Sequence, residues 1–193
     1  MKTIIAANIK PWSKVGVPEQ LAKLFGAYLQ KQVFRDPDGQ EHDFSLFGGR
    51  NFAIVCAITT EGKLILVRQY KQGVHDIVIE FSAGTAEEGE NLELTATREL
   101  EEETGFRAGR MLKLHRHHIS TRKSPSFFRV FLALDCSFTG KRRLDADETI
   151  EVLEAEPQEF WDLVRTGQIT EPSTLTAALH ATLAGYLPIS RSR

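Results

Sequence analysis

Residues 84–106 read GTAEEGENLELTATRELEEETGF, and the spacing of charges and glycines in this stretch governs how the rest of the chain is read. The pattern predicts one helix from Asn91 to Thr104. Asn91 can cap it, Glu93 lies in the first turn where the macrodipole favours an anion, and Gly105 supplies a left-handed stop. In that helix Glu99, Glu102 and Glu103 stand at i, i+3 and i+4, so three carboxylates leave one face. Like charges so placed repel, and a merely solvated face would gain from a lysine among them; a cation held between the carboxylates removes the conflict. Oxygen-only donors favour Mg²⁺ or Mn²⁺ over zinc. Upstream, Ala83-Gly84 ends an apolar run and predicts a sharp turn that aims a carbonyl at the metal, while Glu90 stands at the helix entrance. Most runs of glutamate simply keep a helix soluble, but that explanation leaves Arg98 and the flanking glycines without a purpose.

The chain has 193 residues, 41% of them hydrophobic and 26% charged, enough for a sizeable core and not the composition of a disordered chain. A net charge of −2 gives no bulk argument for a nucleic-acid or membrane partner. Charge is nevertheless uneven. No acidic residue occurs between Gly105 and Leu134, whereas Arg107, Arg110, Lys113, Arg116, Arg122, Lys123 and Arg129 all do. An acidic helix followed by a basic segment suits a metal-bound polyphosphate, the carboxylates holding the cation and the basic groups receiving phosphate oxygens. Cys56 and Cys136 lie in apolar runs without metal-finger spacing and read as buried thiols. The apolar run Ile4–Ile9 is too short for a signal-peptide core, and no stretch is long enough to span a bilayer, so a cytoplasmic protein is expected.

Along the chain, residues 1–30 read as a lead segment with a helix from Pro18 to Gln30, its stripe formed by Leu21, Leu24, Phe25 and Tyr28. A single domain is expected over residues 31–187, followed by a tail at 188–193. Within it, strands are predicted at Lys31–Phe34, Glu41–Phe47, Asn51–Thr59, Lys63–Tyr70, Asp76–Phe81, Met111–Ile119, Phe127–Cys136 and Asp147–Ala155. Helices are predicted from Pro157 to near Gly167 and from Pro172–Thr174 through His180–Ala184. Strands in the middle with one helix among them and two at the end imply an α+β protein with a mixed sheet between helices.

The window resembles the Nudix box, G-x5-E-x7-R-E-U-x-E-E-x-G-U with U apolar. Gly84, Glu90, Arg98, Glu99, Leu100, Glu102, Glu103, Gly105 and Phe106 occupy every specified position, a match with chance odds on the order of 10⁻⁷ at ordinary composition. Leu66–Lys71, Glu80–Gly84, Glu148–Val152 and Thr166–Ile169 look like landmarks of the branch that cleaves ADP-ribose and other nucleoside-diphosphate sugars. The resemblance implies an α/β/α sandwich with an N-terminal β extension, and a homodimer that exchanges N-terminal strands. It also implies hydrolysis of a phosphoanhydride with Mg²⁺, or Mn²⁺, as cofactor. By the same resemblance Glu99 and Glu103 ligate the metal, Glu102 shares a second ion, and the Ala83 carbonyl completes the set. Arg98 orients the glutamates, with Gly84, Glu90, Gly105 and Glu148 in support.

The sequence departs from the branch in three places. Ser82 stands where proline is usual, Lys71 replaces a common arginine, and the loop His118–Ser126 has Pro125 but no glutamate nearby. For the general base the candidates are Glu102, Glu103, Glu148, Glu151 and the histidines 115, 117 and 118, with a box glutamate first because it can share its water with the ion. His115 and His117 share one strand face while His118 points the other way. Arg68, Glu80, Arg122, Lys123 and Arg129 are the candidate substrate contacts, and Phe34, Phe44 or Phe47 candidate stacking partners for a base. ADP-ribose leads GDP-mannose as substrate. A noncatalytic nucleotide-sugar sensor, or an enzyme acting on nucleoside triphosphates or RNA ends, is the alternative.

Overall fold

A computed structural model describes residues 9–146 and 148–189, so the run Ile4–Ile9 apart from Ile9, and the tail beyond Ile189, lie outside the described residues. Contacts gather into two compact units. Among the described residues no helix is long and apolar enough to cross a membrane.

The first unit comprises residues up to Arg50 together with His118–Ser126. Its frame is an antiparallel three-stranded sheet in the order β1 (Ser13–Leu24), β2 (Ala27–Arg35), β3 (Glu41–Gly48). The helix expected over Pro18–Gln30 is therefore replaced by strand. Phe25 and Gly26 both take positive φ, 48° and 82°, and link the paired residues Leu24 and Ala27 as a two-residue hairpin loop, whose twist matches that of the flanking strands. Leu21, Leu24 and Phe25 have helical spacing but remain exposed, so no burial enforces a helix there. Pro18 falls where the β1–β2 register shifts between Val15 and Glu19, a place that needs no ladder donor. At the second hairpin, Asp36 Oδ1 accepts from the Asp38 and Gln40 N–H groups, both at 2.9 Å, and Gly39 adopts φ 86°.

The second unit holds a mixed eight-stranded sheet with helices on both faces. Its strands are β4 (Phe52–Thr59), β5 (Leu64–Lys71), β6 (Asp76–Glu80), β7 (Ser82–Thr85), β8 (Phe106–Arg107), β9 (Arg110–His118), β10 (Phe127–Phe138) and β11 (Ile150–Ala155). The main order is β11-β5-β4-β10-β8, with β6 beside β5, β7 beside β4 and β9 beside β10; β4 and β10 run parallel. The last strand begins at Ile150, later than the expected Asp147, a residue outside those described.

Alternate residues of β4 and β10 feed opposite cores. Ile54, Cys56, Val130 and Leu132 face Phe160 of α2 (Pro157–Arg165) and Ala177, Ala178 and Ala181 of α3 (Pro172–Leu183). Val55, Ala57, Phe131 and Ala133 meet Ala96 of α1 (Leu92–Glu99) and Leu100. Burial on both faces explains why these strands read as unbroken apolar runs. Cys56 and Cys136 are buried and unpaired.

Candidate active site

Asn91 Oδ1 accepts from the Glu93 and Leu94 N–H groups at 2.9 and 3.1 Å, so the helix starts where its cap predicts. It does not continue as one α-helix to Thr104: after Glu99 it widens into a π-helical turn, Leu100–Thr104. Such turns are uncommon and concentrate at functional sites. Here Thr104 Oγ1 bonds back to the Leu100 carbonyl. Gly105 stops the helix at φ 76°, and a Cβ there would come within 2.9 Å of Phe138.

Arg98 gathers the acids. Its Nη1 donates to Glu99 Oε1 at 2.7 Å and to Glu102 Oε2 at 3.1 Å, while Nε and Nη2 donate to the two oxygens of Glu90 at 3.2 and 3.1 Å. Glu90 also accepts from the Glu87 N–H and the Thr95 hydroxyl, both at 2.9 Å. The Arg98 hydrogen bonds, the largest cause, pull the Glu90 carboxyl down to about 2. Glu90 thus anchors the guanidinium from behind, and Glu99 and Glu102 are drawn to its front.

Ala83-Gly84 is not the sharp turn expected from glycine. Both residues lie in β7, with Ala53 opposite Gly84. Glycine is required there for close approach: a Cβ at Gly84 would fall 1.9 Å from Glu99 Cδ and 2.0 Å from its Oε1. Glu103, 2% exposed, accepts from the Ala83 N–H at 3.2 Å. Burial above all pushes its carboxyl up to about 8, the charges of Glu99 and Glu148 add to the rise, and Ser82 and Lys71 oppose it. The buried Ser82 hydroxyl beside it nevertheless makes no hydrogen bond of normal geometry. Glu99 is raised as well, again chiefly by burial, with Arg98 opposing.

Among the described residues no group of three or more His, Cys, Asp or Glu side chains stands ready to hold a metal ion; Arg98 hydrogen-bonds both Glu99 and Glu102. The donor chemistry nevertheless fits a hard dication. Glu99 and Glu103 pack against the β7 backbone, the side-chain donors of the cluster are oxygens, and among the described residues the buried Glu103 forms no salt bridge.

A cavity of about 420 Å³ opens beside this cluster, lined by Ala83, Gly84, Thr85, Phe52, Lys71, Glu80 and the residues Thr170–Ser173. In it Glu80 is paired with Lys71 at 2.8 Å and accepts from Gln69 Nε2 at 2.9 Å. A larger cavity, about 910 Å³, borders Thr104, Phe106, Cys136 and β11; the box carboxylates line neither cavity, and the smaller one is distinguished by Gly84, against which Glu99 packs.

The other candidates are spread out. Arg68 is committed to Glu151 across β5 and β11, with Nε at 2.9 Å. Arg129 donates to the Leu114 carbonyl at 2.9 Å. Arg122 and Lys123 belong to the first unit, where Arg122 lies 5.9 Å from the Phe44 ring centre and Phe34 meets Phe44 edge-on. His117 Nε2 lies 2.7 Å from Nε2 of His180 on α3, and His115 is adjacent to the same ring. His180 escaped sequence reading because nothing local ties it to β9. Arg142 and Arg143 escaped it too. Arg143 pairs with Glu102, and only the basic run Lys141–Arg143, next to an acidic stretch, signalled them.

Residues 49–174 match the family model of the NUDIX domain. The chain is 34% identical over 142 residues to an ADP-ribose pyrophosphatase of Bacillus subtilis (strain 168), covering 73% of this chain and 77% of that protein. It is 31% identical over 160 residues to a methanol dehydrogenase activator of Bacillus methanolicus, covering 80% and 84% respectively. A crystal structure of an ADP compounds hydrolase superposes with a TM-score of 0.77 at 20% identity, over 93% of this chain and 98% of that one, a likeness of fold. With the domain match spanning most of the second unit and every box position filled, the chain belongs to the Nudix family, as a pyrophosphohydrolase of the branch that includes the ADP-ribose pyrophosphatases.

Proposed function

We propose that this protein hydrolyses the diphosphate link of a nucleoside-diphosphate sugar, ADP-ribose before GDP-mannose, to a nucleoside monophosphate and a sugar phosphate, with Mg²⁺ as cofactor and Mn²⁺ as a substitute. The observation that carries this reading is the carboxylate cluster organised by Arg98 and packed, through Glu99, against Gly84, which lines a cavity that also presents Lys71. That the Bacillus subtilis relative is an ADP-ribose pyrophosphatase supports the choice of ADP-ribose.

Glu99, Glu102, Glu103 and the Ala83 carbonyl are the groups that would hold the cation. Bound there, a divalent cation neutralises diphosphate oxygens and lowers the pKa of water. Arg98 keeps Glu99 and Glu102 oriented through charge-assisted hydrogen bonds. Water adds across one P–O–P bridge: a new P–O bond forms, the bridging P–O bond breaks, and the departing phosphate keeps the bridging oxygen. Glu103, as a carboxylate that would share its water with the ion, is suited to accept the water's proton, and Glu148 is the second candidate.

A panel of ADP-ribose, GDP-mannose, UDP-glucose, NADH, diadenosine polyphosphates and nucleoside triphosphates, incubated with Mg²⁺ and resolved by chromatography, tests the proposal. AMP and ribose 5-phosphate from ADP-ribose are expected as the fastest products. Faster cleavage of a triphosphate, or binding without cleavage, would refute it. The second outcome is the competing reading favoured by the activator name of the Bacillus methanolicus relative, a chain that binds a nucleotide sugar and acts through a partner.

The proposal includes a cytoplasmic homodimer joined through the N-terminal strands. Val17 is 92% and Leu24 68% exposed on β1, and Phe25 is fully exposed at its tip, apolar surface of the kind a second copy would cover. Light scattering at twice the chain mass is expected; a monomer at micromolar concentration counts against it.

A further inference from the structure

The last carbonyls of a helix have no partner inside it, and residues 139–143 of the segment leading to β11 supply partners to two of them, Glu102 and Glu103, and to the carbonyl of Gly105 that follows. The Thr139 N–H donates to the Gly105 carbonyl at 2.8 Å and its hydroxyl reaches the same oxygen at 3.0 Å. The Arg143 N–H donates to the Glu102 carbonyl at 2.9 Å. Between them Arg142 Nε donates to the Glu103 carbonyl at 2.7 Å, while its Nη2 donates to the carbonyl of Ile150, the first residue of β11. One guanidinium therefore ties the π-helical turn to the far end of the segment. Both bonds go to main-chain oxygens, so what the position uses is the planar fork of arginine, which a lysine cannot reproduce.

This segment carries Glu148. Its carboxylate accepts from the Asp145 N–H at 3.1 Å and its own N–H donates to the Asp145 carbonyl at 3.1 Å, just before β11. Glu148 is close enough for its charge to act on both Glu99 and Glu103. Glu148 stands two residues before Ile150, so the main chain that bears it is fastened through Arg142 both to the helix end and to the first residue of β11.

We infer, on the reading that this site hydrolyses a phosphoanhydride, that Arg142 is a positioning residue: by joining the Glu103 and Ile150 carbonyls it fixes the start of β11 to the turn that carries Glu102 and Glu103, and with it the placement of Glu148 two residues before Ile150. Arg142 does not line the cavity beside Ala83 and Gly84, so its loss acts on turnover rather than on substrate affinity.

The test uses the full chain as wild type, Arg142→Met, Arg142→Lys, Glu148→Gln and the double variant Arg142→Met/Glu148→Gln. Steady-state kinetics with ADP-ribose and Mg²⁺ are set beside amide hydrogen exchange of residues 139–149 without substrate. In Arg142→Met, exchange at the Thr139 and Arg143 amides should quicken by about tenfold or more. Its kcat should fall by roughly 10- to 100-fold with KM within about threefold, Arg142→Lys should be intermediate, and the double variant should be no slower than Glu148→Gln. Unchanged exchange, normal turnover of Glu148→Gln, a loss confined to KM, or multiplicative losses in the double variant each overturn the inference. Should Arg142→Met fail to fold, Arg142→Lys carries the same comparison against Glu148→Gln. If exchange quickens but the wild type releases no nucleoside monophosphate from any nucleotide sugar, the proposed function falls, and the catalytic role of Arg142 falls with it, while the strap itself stands.

Discussion

Strands β10 and β1 are each twelve residues long, yet one is enclosed on both faces and the other is nearly bare. Val130, Phe131, Leu132 and Ala133 are all 0% exposed and alternate between the two cores, whereas every residue of β1 except Val15 is exposed. β10 is held by burial; β1 is held by its ladder to β2 and by the Phe25-Gly26 hairpin. The contrast shows what leaves an imprint on a sequence. Burial on two faces demands a run of apolar residues, while a strand with no buried face is free to carry any spacing, including one that mimics a helix.

If burial is the difference, the same kind of substitution should have unequal effects in the two regions. Phe131→Ala in β10 should cost about 3–5 kcal/mol by urea denaturation; a loss below about 1 kcal/mol would break the contrast. Glu103→Gln probes the point where the enclosed region meets the chemistry. It should lower kcat by on the order of 10², about 3 kcal/mol of transition-state stabilisation, yet leave the midpoint of thermal unfolding unchanged or higher without divalent cation, because a buried carboxyl is neutralised. Near-normal turnover at saturating Mg²⁺ would remove Glu103 from the site. Asn91→Ala, which strips two accepted hydrogen bonds from the helix start, should cost about 1 kcal/mol with little change in KM, read by denaturation and kinetics together.

The histidine pair joins α3 to β9 at the edge of the enclosed region, and burial lowers both His117 and His180 below the ordinary imidazole value. A depressed histidine contributes stability above its unfolded pKa and loses it as pH falls. The unfolding midpoint should therefore drop between about pH 7 and pH 5, and His180→Gln should flatten that slope; an unaltered slope would exclude the pair as its source. The smallest effect is expected from Val17→Ser and Leu24→Ser in β1: less than about 0.5 kcal/mol in the stability of the single chain, with loss of the dimer by light scattering as the informative change.

Much of the site was legible before any fold was known. Asn91, Glu93 and Gly105 mark the helix by chemistry within a few residues of where they act, and the spacing of Glu99, Glu102 and Glu103 follows from helical geometry. The two closing helices, with proline at their first turns, were legible for the same reason. The π-helical turn was not: its Glu102 and Glu103 carbonyls bond Arg143 and Arg142, partners some forty residues on that no local pattern announces. Arg68 and Arg129 looked like phosphate contacts because charge can be read from a sequence and commitment cannot: one is spent on Glu151, the other on a main-chain oxygen.

The amino-acid order alone determined the carboxylate row, its arginine, its caps and the alternation of sheet and helix, because each depends on groups within about one helical turn or on periodic burial. Only the tertiary structure decided that Gly84 is glycine to admit the Glu99 carboxyl, that His180 meets His117, and that residues 13–24 form a strand. Gly84 answers to a residue 15 positions away, His117 to one 63 away, and the outer half of the first strand to partners up to 22 away, and no local preference carries information over such separations.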